Sequence, residues 1–442
     1  MKDKLYKPSK FNLSIDISEE ELLLFNTFST SLIKLKKEVY SQLFVLSEEG
    51  NSMVNNGVKE KFIDLGFLVE HEFDEVEFIK IKNGQWRHNP LSYSIAIVPN
   101  LDCNFNCKYC FEDISPKYMS ESTIVNIETY VKNRIKKKLI NYLGVCWYGG
   151  EPLLSKKIIE RLSSTFSEVE KYHSTIFTNG YAFDDHFIKN LDKYGVDLVH
   201  ITLDGSSEIH NKYRYLKNGS GTYEKIKENI KKIVDQHGKN VYLNIRMNLD
   251  SENKFYCEEL IEEFKAIGQN NISFIIAKII KTSSGNGKNF CNELGDSDFD
   301  EIRNFTRRVL VKNGFKKPFD FLPKNLNCHH CYVGLDNGFT INYDGSIYKC
   351  FGDVNPPQNK IGELLSTGEV DFINDQYFKW YGYDCFDNIQ CSGCILLPIC
   401  MGDCTHKRLG LTPNSNSGCD FSKILQQTKK TIIDSYNLKC EV

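Results

Sequence analysis

Residues 93–112 read YSIAIVPNLDCNFNCKYCFE. The first eight form an apolar strand pattern that runs without a break into a loop carrying Cys103, Cys107 and Cys110. Three thiolates on one short loop can ligate three irons of a [4Fe–4S] cube and leave the fourth iron open. A zinc site completed by a distant residue is one alternative, and chance clustering is another. The apolar strand ahead, with Tyr109 and Phe111 set among the cysteines, argues against chance.

Working outward, the strand is the first of six strand-then-helix units. LGVCW (143–147), STIF (174–177), DLVHIT (197–202), YLNIR (242–246) and ISFII (272–276) are the others, with helical periodicity near 119–138, 155–171, 184–194, 222–238 and 253–266. Repeated β/α units predict a parallel sheet with helices outside, curled into a partial (β/α)6 TIM barrel over residues 91–280, in an α/β fold. Functional residues in such a fold belong at the C-terminal ends of the strands. The cysteine loop, GGEP (149–152), TNG (178–180) and LDG (203–205) all fall there.

At 442 residues the chain is expected to hold two or three domains. Residues 1–85 read as a small winged-helix-like α+β module: strands over 11–18, 21–30 and 31–35, helices over 37–50 and 59–67, and a strand over 68–82. KNGQWRHNP (82–90) reads as a linker, residues 281–325 as a Gly/Ser/Asn-rich bridge, and 326–442 as a cysteine-dense segment ending in a helix. The net charge of −3 argues against a nucleic-acid surface. A charged N-terminus without an apolar core, and no long apolar run, point to a cytoplasmic protein with no membrane span. In a reducing compartment, sixteen cysteines point to metal or redox chemistry rather than disulfides.

The C-x3-C-x2-C loop after a first strand, with Gly149-Gly150-Glu151-Pro152 after a second, resembles the radical S-adenosylmethionine (radical SAM) superfamily. The resemblance implies that Cys103, Cys107 and Cys110 hold a [4Fe–4S] cluster whose open iron chelates SAM. Electron transfer would then cleave SAM to a 5′-deoxyadenosyl radical that abstracts a hydrogen atom. It further implies that Gly149, Gly150 and Glu151 meet the methionyl amino group and that Tyr109 lies beside the adenine. Thr178, Asn179, Thr202 and Asp204 would be strand-end residues facing the cofactor. Arg214 of HNKYR resembles the HDxxR segment of related peptide-modifying enzymes, and Arg246 and Asn248 would reach the ribose or carboxylate. Without a cofactor, GGEP is a tight strand-to-helix turn.

The later cysteines resemble the seven-cysteine SPASM extension, which houses two auxiliary [4Fe–4S] clusters and brings the expected total to three. By that resemblance Cys391, Cys394, Cys400 and Cys419 ligate one cluster, and Cys331, Cys350 and Cys404 the other, with Cys328 as its candidate fourth ligand. Without Cys328 that cluster keeps an open iron for a substrate thiolate. A zinc ribbon from Cys328, Cys331, Cys391 and Cys394 would leave four cysteines unexplained. Cys146, Cys257, Cys291 and Cys440 read as ordinary thiols, and Cys385 is undecided.

Residues 1–85 carry eleven Lys against fifteen Asp and Glu, which a phosphate backbone would repel. ELLLFNTFSTSLIKL (21–35) instead resembles the recognition element fused to maturases of ribosomally made peptides, which adds a leader peptide as an extra strand. The combined resemblance is to radical SAM/SPASM peptide maturases of the thioether-forming (sactipeptide or ranthipeptide) type. It implies a precursor peptide as substrate, a flavodoxin or ferredoxin as electron donor, and a crosslink, foremost a cysteine thioether, as product. Carbon–carbon or other side-chain crosslinking and anaerobic sulfatase maturation (formylglycine formation) are the alternatives.

Overall fold

The computed structural model describes residues 5–41, 56–282, 285–325, 331–354, 357–372, 375–411 and 418–441. Five short strands open the chain: Tyr6–Pro8 (β1), Asn12–Asp16 (β2), Glu21–Asn26 (β3), Leu32–Lys36 (β4) and Leu68–Glu70 (β5). Strands β2, β3 and β4 form an antiparallel meander, and β1 pairs with β5. The run LLLF in β3 is buried throughout, so this strand has two apolar faces. Leu22 and Leu24 pack with Phe62, Phe67 and Leu68, under the helix Asn56–Asp64. Leu23 and Phe25 pack with Leu13 and Ile15 against Leu396 and Ile432, beside Cys394 and Cys400. The second face is therefore covered by the cysteine-rich segment and the terminal helix Phe421–Glu441. Thr27 Oγ1 adds a hydrogen bond to the Ile395 carbonyl at 2.6 Å.

Residues 75–87 depart from the sequence expectation. The alternation in EVEFIKIK predicts a strand, yet Glu75–Arg87 is a helix. Asp74 caps it by accepting from the backbone N–H groups of Val76 and Glu77, both at 3.0 Å. Glu75, buried in the first turn, accepts from Ser9 Oγ at 2.5 Å and from the Lys10 backbone at 3.0 Å. A filled N-cap and a tertiary tie outweigh a short alternating pattern. The expected linker at 82–90 thus begins inside a helix. Of the helix expected over 37–50, residues 42–50 lie outside the described residues.

The barrel strands are Ser92–Ile97 (β6), Tyr142–Trp147 (β7), Lys171–Thr178 (β8), Val196–Thr202 (β9), Tyr242–Leu249 (β10) and Ile272–Lys278 (β11). Each is parallel to its neighbour in chain order, with helices in the connections. Phe264 of the helix Cys257–Lys265 meets Phe274 of β11 edge to face, which marks that side of the sheet as the helix side. Ile245 is in register with Phe274, so Leu243, Ile245, Met247 and Leu249 face the helices; Asn244, Arg246 and Asn248 face the interior of the curl.

Beyond β6 the sheet continues through Gly338–Ile341 (β12), parallel to β6, and then antiparallel through Ser346–Tyr348 (β13), Lys360–Leu364 (β14) and Val370–Phe372 (β15). The chain divides into two compact units: residues 1–88, 318–334 and 382–442 in one, and 89–317 with 335–381 in the other. This division cuts through the segment 326–442 that the sequence suggests as one domain. The reason is pairing: β12 to β15 complete the barrel sheet, whereas residues 394–400 are buried by the β2–β3 meander. Among the described residues no helix is long and apolar enough to cross a membrane.

Leu23 is fully buried between the meander and the C-terminal segment. We expect Leu23→Ala to destabilise the unit containing both termini by about 2–5 kcal/mol in urea unfolding, and to expose residues 394–400 to protease together with residues 11–36. An exposed change, Glu20→Ala, should stay within about 0.5 kcal/mol.

Candidate active site

The site is built on a close approach of two backbones. Gly149 has φ +132°, and a Cβ placed on it would lie 2.4 Å from the Asn100 carbonyl oxygen; a Cβ on Gly150 would lie 2.2 Å from that of Asp102. No side chain fits at either position, so the turn after β7 rests directly on the start of the cysteine loop. Gly150 N–H donates to Asn100 O at 3.3 Å and Glu151 N–H to Asp102 O at 2.7 Å. Glu151 is itself buried, and its carboxylate accepts from Thr178 Oγ1 (2.6 Å), Asn179 N–H (2.7 Å) and Leu153 N–H (3.0 Å). It thereby ties the ends of β7 and β8 together, and burial raises its pKa.

Asn179 extends the tie to the loop, donating from Nδ2 to Asn104 Oδ1 at 2.8 Å, with Cys103 Sγ at 3.8 Å. Cys103 and Cys107 are buried and Cys110 partly so. Burial pushes the Cys103 thiol up to about 12 and those of Cys107 and Cys110 up to about 11. Such thiols stay protonated at neutral pH unless a cation replaces the proton.

Tyr109 is the centre of a second, buried network. Its hydroxyl donates to Asp204 Oδ2 and accepts from Arg214 Nη1 and Asn248 Nδ2, both at 3.1 Å. Asp204 Oδ1 accepts from Asn248 N–H at 3.0 Å. Burial raises the Asp204 pKa to about 6 and the Tyr109 pKa well above its ordinary value. Burial opposes the charge on Arg214, but Cys107, Tyr109 and Asp204 around it hold its pKa well above the usual value. Arg214 Nε is buried without a hydrogen-bond partner.

Sequence reasoning missed two supports of this network. Asn253, fully enclosed, donates to the carbonyls of Asp204 (3.2 Å) and Asn248 (2.8 Å). His210 accepts at Nδ1 from Asp204 N–H (3.3 Å) and meets Thr222 Oγ1 through Nε2 (3.0 Å), while Thr222 donates to the Arg214 carbonyl (2.8 Å). Burial keeps His210 neutral. Its place in HNKYR was the available signal; Asn253 had none.

Of the residues singled out from sequence, Cys103, Cys107, Cys110, Tyr109, Gly149, Gly150, Glu151, Thr178, Asn179, Asp204, Arg214 and Asn248 share this connected region. Thr202 and Arg246 sit in register at its rim, and Arg246 Nε donates to Asn248 Oδ1 at 2.9 Å. Further along the inner face, His200 stacks on Phe177 at 4.1 Å, and Phe351 packs on Tyr148 at 4.4 Å. Tyr148 in turn donates to Glu112 Oε1 at 2.9 Å. Cys350 directly precedes Phe351 in the barrel unit.

The other unit carries Cys391, Cys394, Cys400 and Cys419. Burial is the main cause that raises the Cys391 and Cys394 thiols, and Cys419 adds to it in both cases, with Cys394 adding to it at Cys391. Arg408 bonds Cys419 and lowers Cys391. Between Cys400 and Cys404, Met401, Gly402 and Asp403 all have positive φ (47°, 85° and 66°), a coil that costs about 1–2 kcal/mol for each non-glycine residue. Cys385 is buried beside these residues, among Phe11, Leu397 and Met401. Cys331 and Cys404 are exposed in this unit, and Cys328 lies outside the described residues.

The donor set fits an iron–sulfur cluster with SAM: three thiols on one loop, a buried guanidinium beside them, and an unused Arg214 N–H. Among the described residues no three His, Cys, Asp or Glu side chains close on a single ion position.

Residues 97–274 match the radical SAM superfamily. The matched span takes in the cysteine loop, GGEP and the Tyr109 network, and the chain is an enzyme. The chain is 23% identical to the radical SAM cyclopropyl synthase TigE of Paramaledivibacter caminithermalis, over 94% of each protein. It is 23% identical to a serine-type anaerobic sulfatase-maturating enzyme of Bacteroides thetaiotaomicron, over 72% of this chain and 84% of that one. Streptococcus suis SuiB bound to its precursor peptide SuiA superposes with a TM-score of 0.53 at 14% identity, covering 93% of this chain and 99% of that one. That likeness is one of fold.

Two outcomes are expected. Gly150→Ala should destabilise the barrel unit by about 1–3 kcal/mol and speed alkylation of Cys103 and Cys107 in the metal-free protein, read by mass spectrometry. His200 is held down to about 4 by burial and by Arg246. Its neutral form therefore supports the fold above about pH 6.5, and that support is lost as pH falls toward 4. The melting temperature of the wild type should fall more between pH 7 and pH 5 than that of His200→Gln.

Proposed function

We propose that this chain installs a crosslink in a ribosomally made precursor peptide. The observation that carries this reading is the loop itself: Cys103, Cys107 and Cys110 stand on one short segment, tied through Asn179 and the Gly149–Gly150 contact to the two neighbouring strand ends. Cys103, Cys107 and Cys110 would hold the [4Fe–4S] cluster. The turn at Gly149, Gly150 and Glu151, with Thr178 and Asn179 behind it, would receive the methionyl end of SAM. Tyr109, Asp204, Arg214 and Asn248 would frame the nucleoside side, with Thr202 and Arg246 at the rim. Bound there, cluster and SAM supply one-electron chemistry that generates a hydrogen-abstracting radical.

The residues of the chain position and enclose. Arg214 would offset the charge of the thiolates, and the burial of Cys103 and Cys107 would limit water at that part of the loop. Cys391, Cys394, Cys400 and Cys419 would hold an auxiliary cluster. A flavodoxin- or ferredoxin-type donor would supply electrons.

The leader would dock on the N-terminal module, along the outer edge of β4. In the described meander β4 pairs only with β3, which leaves one edge for an added strand. The similarity to TigE spans 94% of this chain, a share that cannot omit residues 1–85, and the fold likeness to SuiB is nearly as long. Formylglycine formation is the second reading, supported by the sulfatase-maturating relative, whose similarity covers 72% of the chain. Among crosslinks we favour a cysteine thioether; a carbon–carbon bond is the other product, and the name of TigE supports it.

Three results are expected. Reduced, reconstituted protein should form 5′-deoxyadenosine from SAM, and Cys103→Ala, Cys107→Ala or Cys110→Ala should bring this to the enzyme-free background. Hydrogen exchange with a candidate precursor peptide should show new protection at 32–36; protection only elsewhere would remove the docking site. Co-expressed peptide should lose one hydrogen from each crosslinked residue, with a thioether also removing an alkylatable thiol. Gain of an aldehyde in place of a crosslink would favour the second reading.

A further inference from the structure

Beyond β11 the chain returns to the cysteine loop. Gly287 N–H donates to the Cys110 carbonyl at 2.8 Å. Asn286 Nδ2 donates to the Cys107 carbonyl at 2.8 Å and to Asn106 Oδ1 at 2.9 Å. Gly285 N–H donates to Asp113 Oδ1 at 3.0 Å. The approach is as tight as the one at Gly149. A Cβ on Gly285, which has φ +60°, would lie 2.4 Å from Cys110 O and 2.8 Å from Glu112 O; one on Gly287 would lie 3.0 Å from Tyr109 O. The segment is rooted by Ile279 and Phe290, both buried in a cluster with Ile209, Tyr213 and Tyr109.

The loop carrying the three cysteines forms neither helix nor strand, so its backbone polar groups need partners from elsewhere. The first half finds them on residues 213–217. Asn106 N–H donates to Tyr215 O (2.9 Å), Lys108 N–H to Tyr213 O (3.0 Å), and Lys217 N–H to Asn104 O (3.1 Å). In the second half, Cys110 N–H turns back to Cys107 O at a long 3.3 Å.

We propose that Gly285, Asn286 and Gly287 form a clasp that fixes the Cys107–Cys110 turn and so sets how firmly the loop retains its cluster. Asn286 is a positioning residue acting through the Cys107 carbonyl, and the two glycines admit the clasp to the loop backbone. The proposal rests on the reading of this loop as a cluster site.

The test uses full-length, anaerobically reconstituted protein with Asn286→Ala and the similarly sized Asn286→Asp, and with exposed Lys288→Ala as control. The cluster of this loop is followed by the part of its electron paramagnetic resonance (EPR) signal that changes on adding SAM. Its loss to a ferrous chelator is timed, and melting of the metal-free proteins is recorded alongside. Loss of the one or two hydrogen bonds made by Asn286 should speed chelation about tenfold, with Lys288→Ala unchanged. In metal-free protein, alkylation of Cys107 and Cys110 should accelerate while that of buried Cys257 does not. If both Asn286 variants release iron and react with alkylator at wild-type rates, the clasp is wrong. If Cys257 becomes equally reactive, the effect is general unfolding and the clasp is again wrong. A wild type with no SAM-responsive signal would instead overturn the cluster reading itself, and the clasp with it.

Discussion

The contact of Gly149 and Gly150 with the carbonyls of Asn100 and Asp102 governs the site. With Cβ clearances of 2.4 and 2.2 Å, neither position admits a side chain, and the turn after β7 is pressed onto the entry of the cysteine loop. From this follow the burial of Glu151, its grip on Thr178 and Asn179, and the link from Asn179 back to Asn104. Three strand ends are locked by backbone proximity and one carboxylate. The loop can then be shaped by what approaches it from outside: residues 213–217 on one half and 285–287 on the other.

A second constraint joins parts of the sequence that are far apart. Strand β3 is apolar on both faces, and one face is covered by residues that flank Cys394 and Cys400. The N-terminal module is therefore part of the hydrophobic core of the C-terminal cysteine segment. Removing residues 1–85 would strip Leu13, Ile15, Leu23 and Phe25 from that core. A truncation would thus confound loss of peptide docking with collapse of the cysteine segment, which is why docking is better read from amide exchange along β4.

Much of the parallel sheet was legible because its signals are local. Apolar runs of strand length alternate with helical periods, and Cys103, Gly149 and Asn179 all follow strand ends. The helix Glu75–Arg87 was not, because its cap at Asp74 and the tie from Glu75 to Ser9 compete with an alternation that by itself favours a strand. The division of residues 326–442 between two units was hidden as well, since it depends on β12 pairing with β6 across more than two hundred residues. Asn253, Asn286 and Phe351 act through long-range hydrogen bonds or ring packing, which leave no mark on spacing. The glycines at 285 and 287 were visible only as a loop-like composition.

The central claim is that the loop of Cys103, Cys107 and Cys110 leaves one cluster position for the methionyl end of SAM. Electron–nuclear double resonance of the reduced protein with SAM labelled with nitrogen-15 at its amino group tests it most directly. The account predicts a hyperfine coupling between cluster and label that disappears in Cys107→Ala. A fully loaded, reduced wild-type protein that binds labelled SAM without such coupling would contradict it.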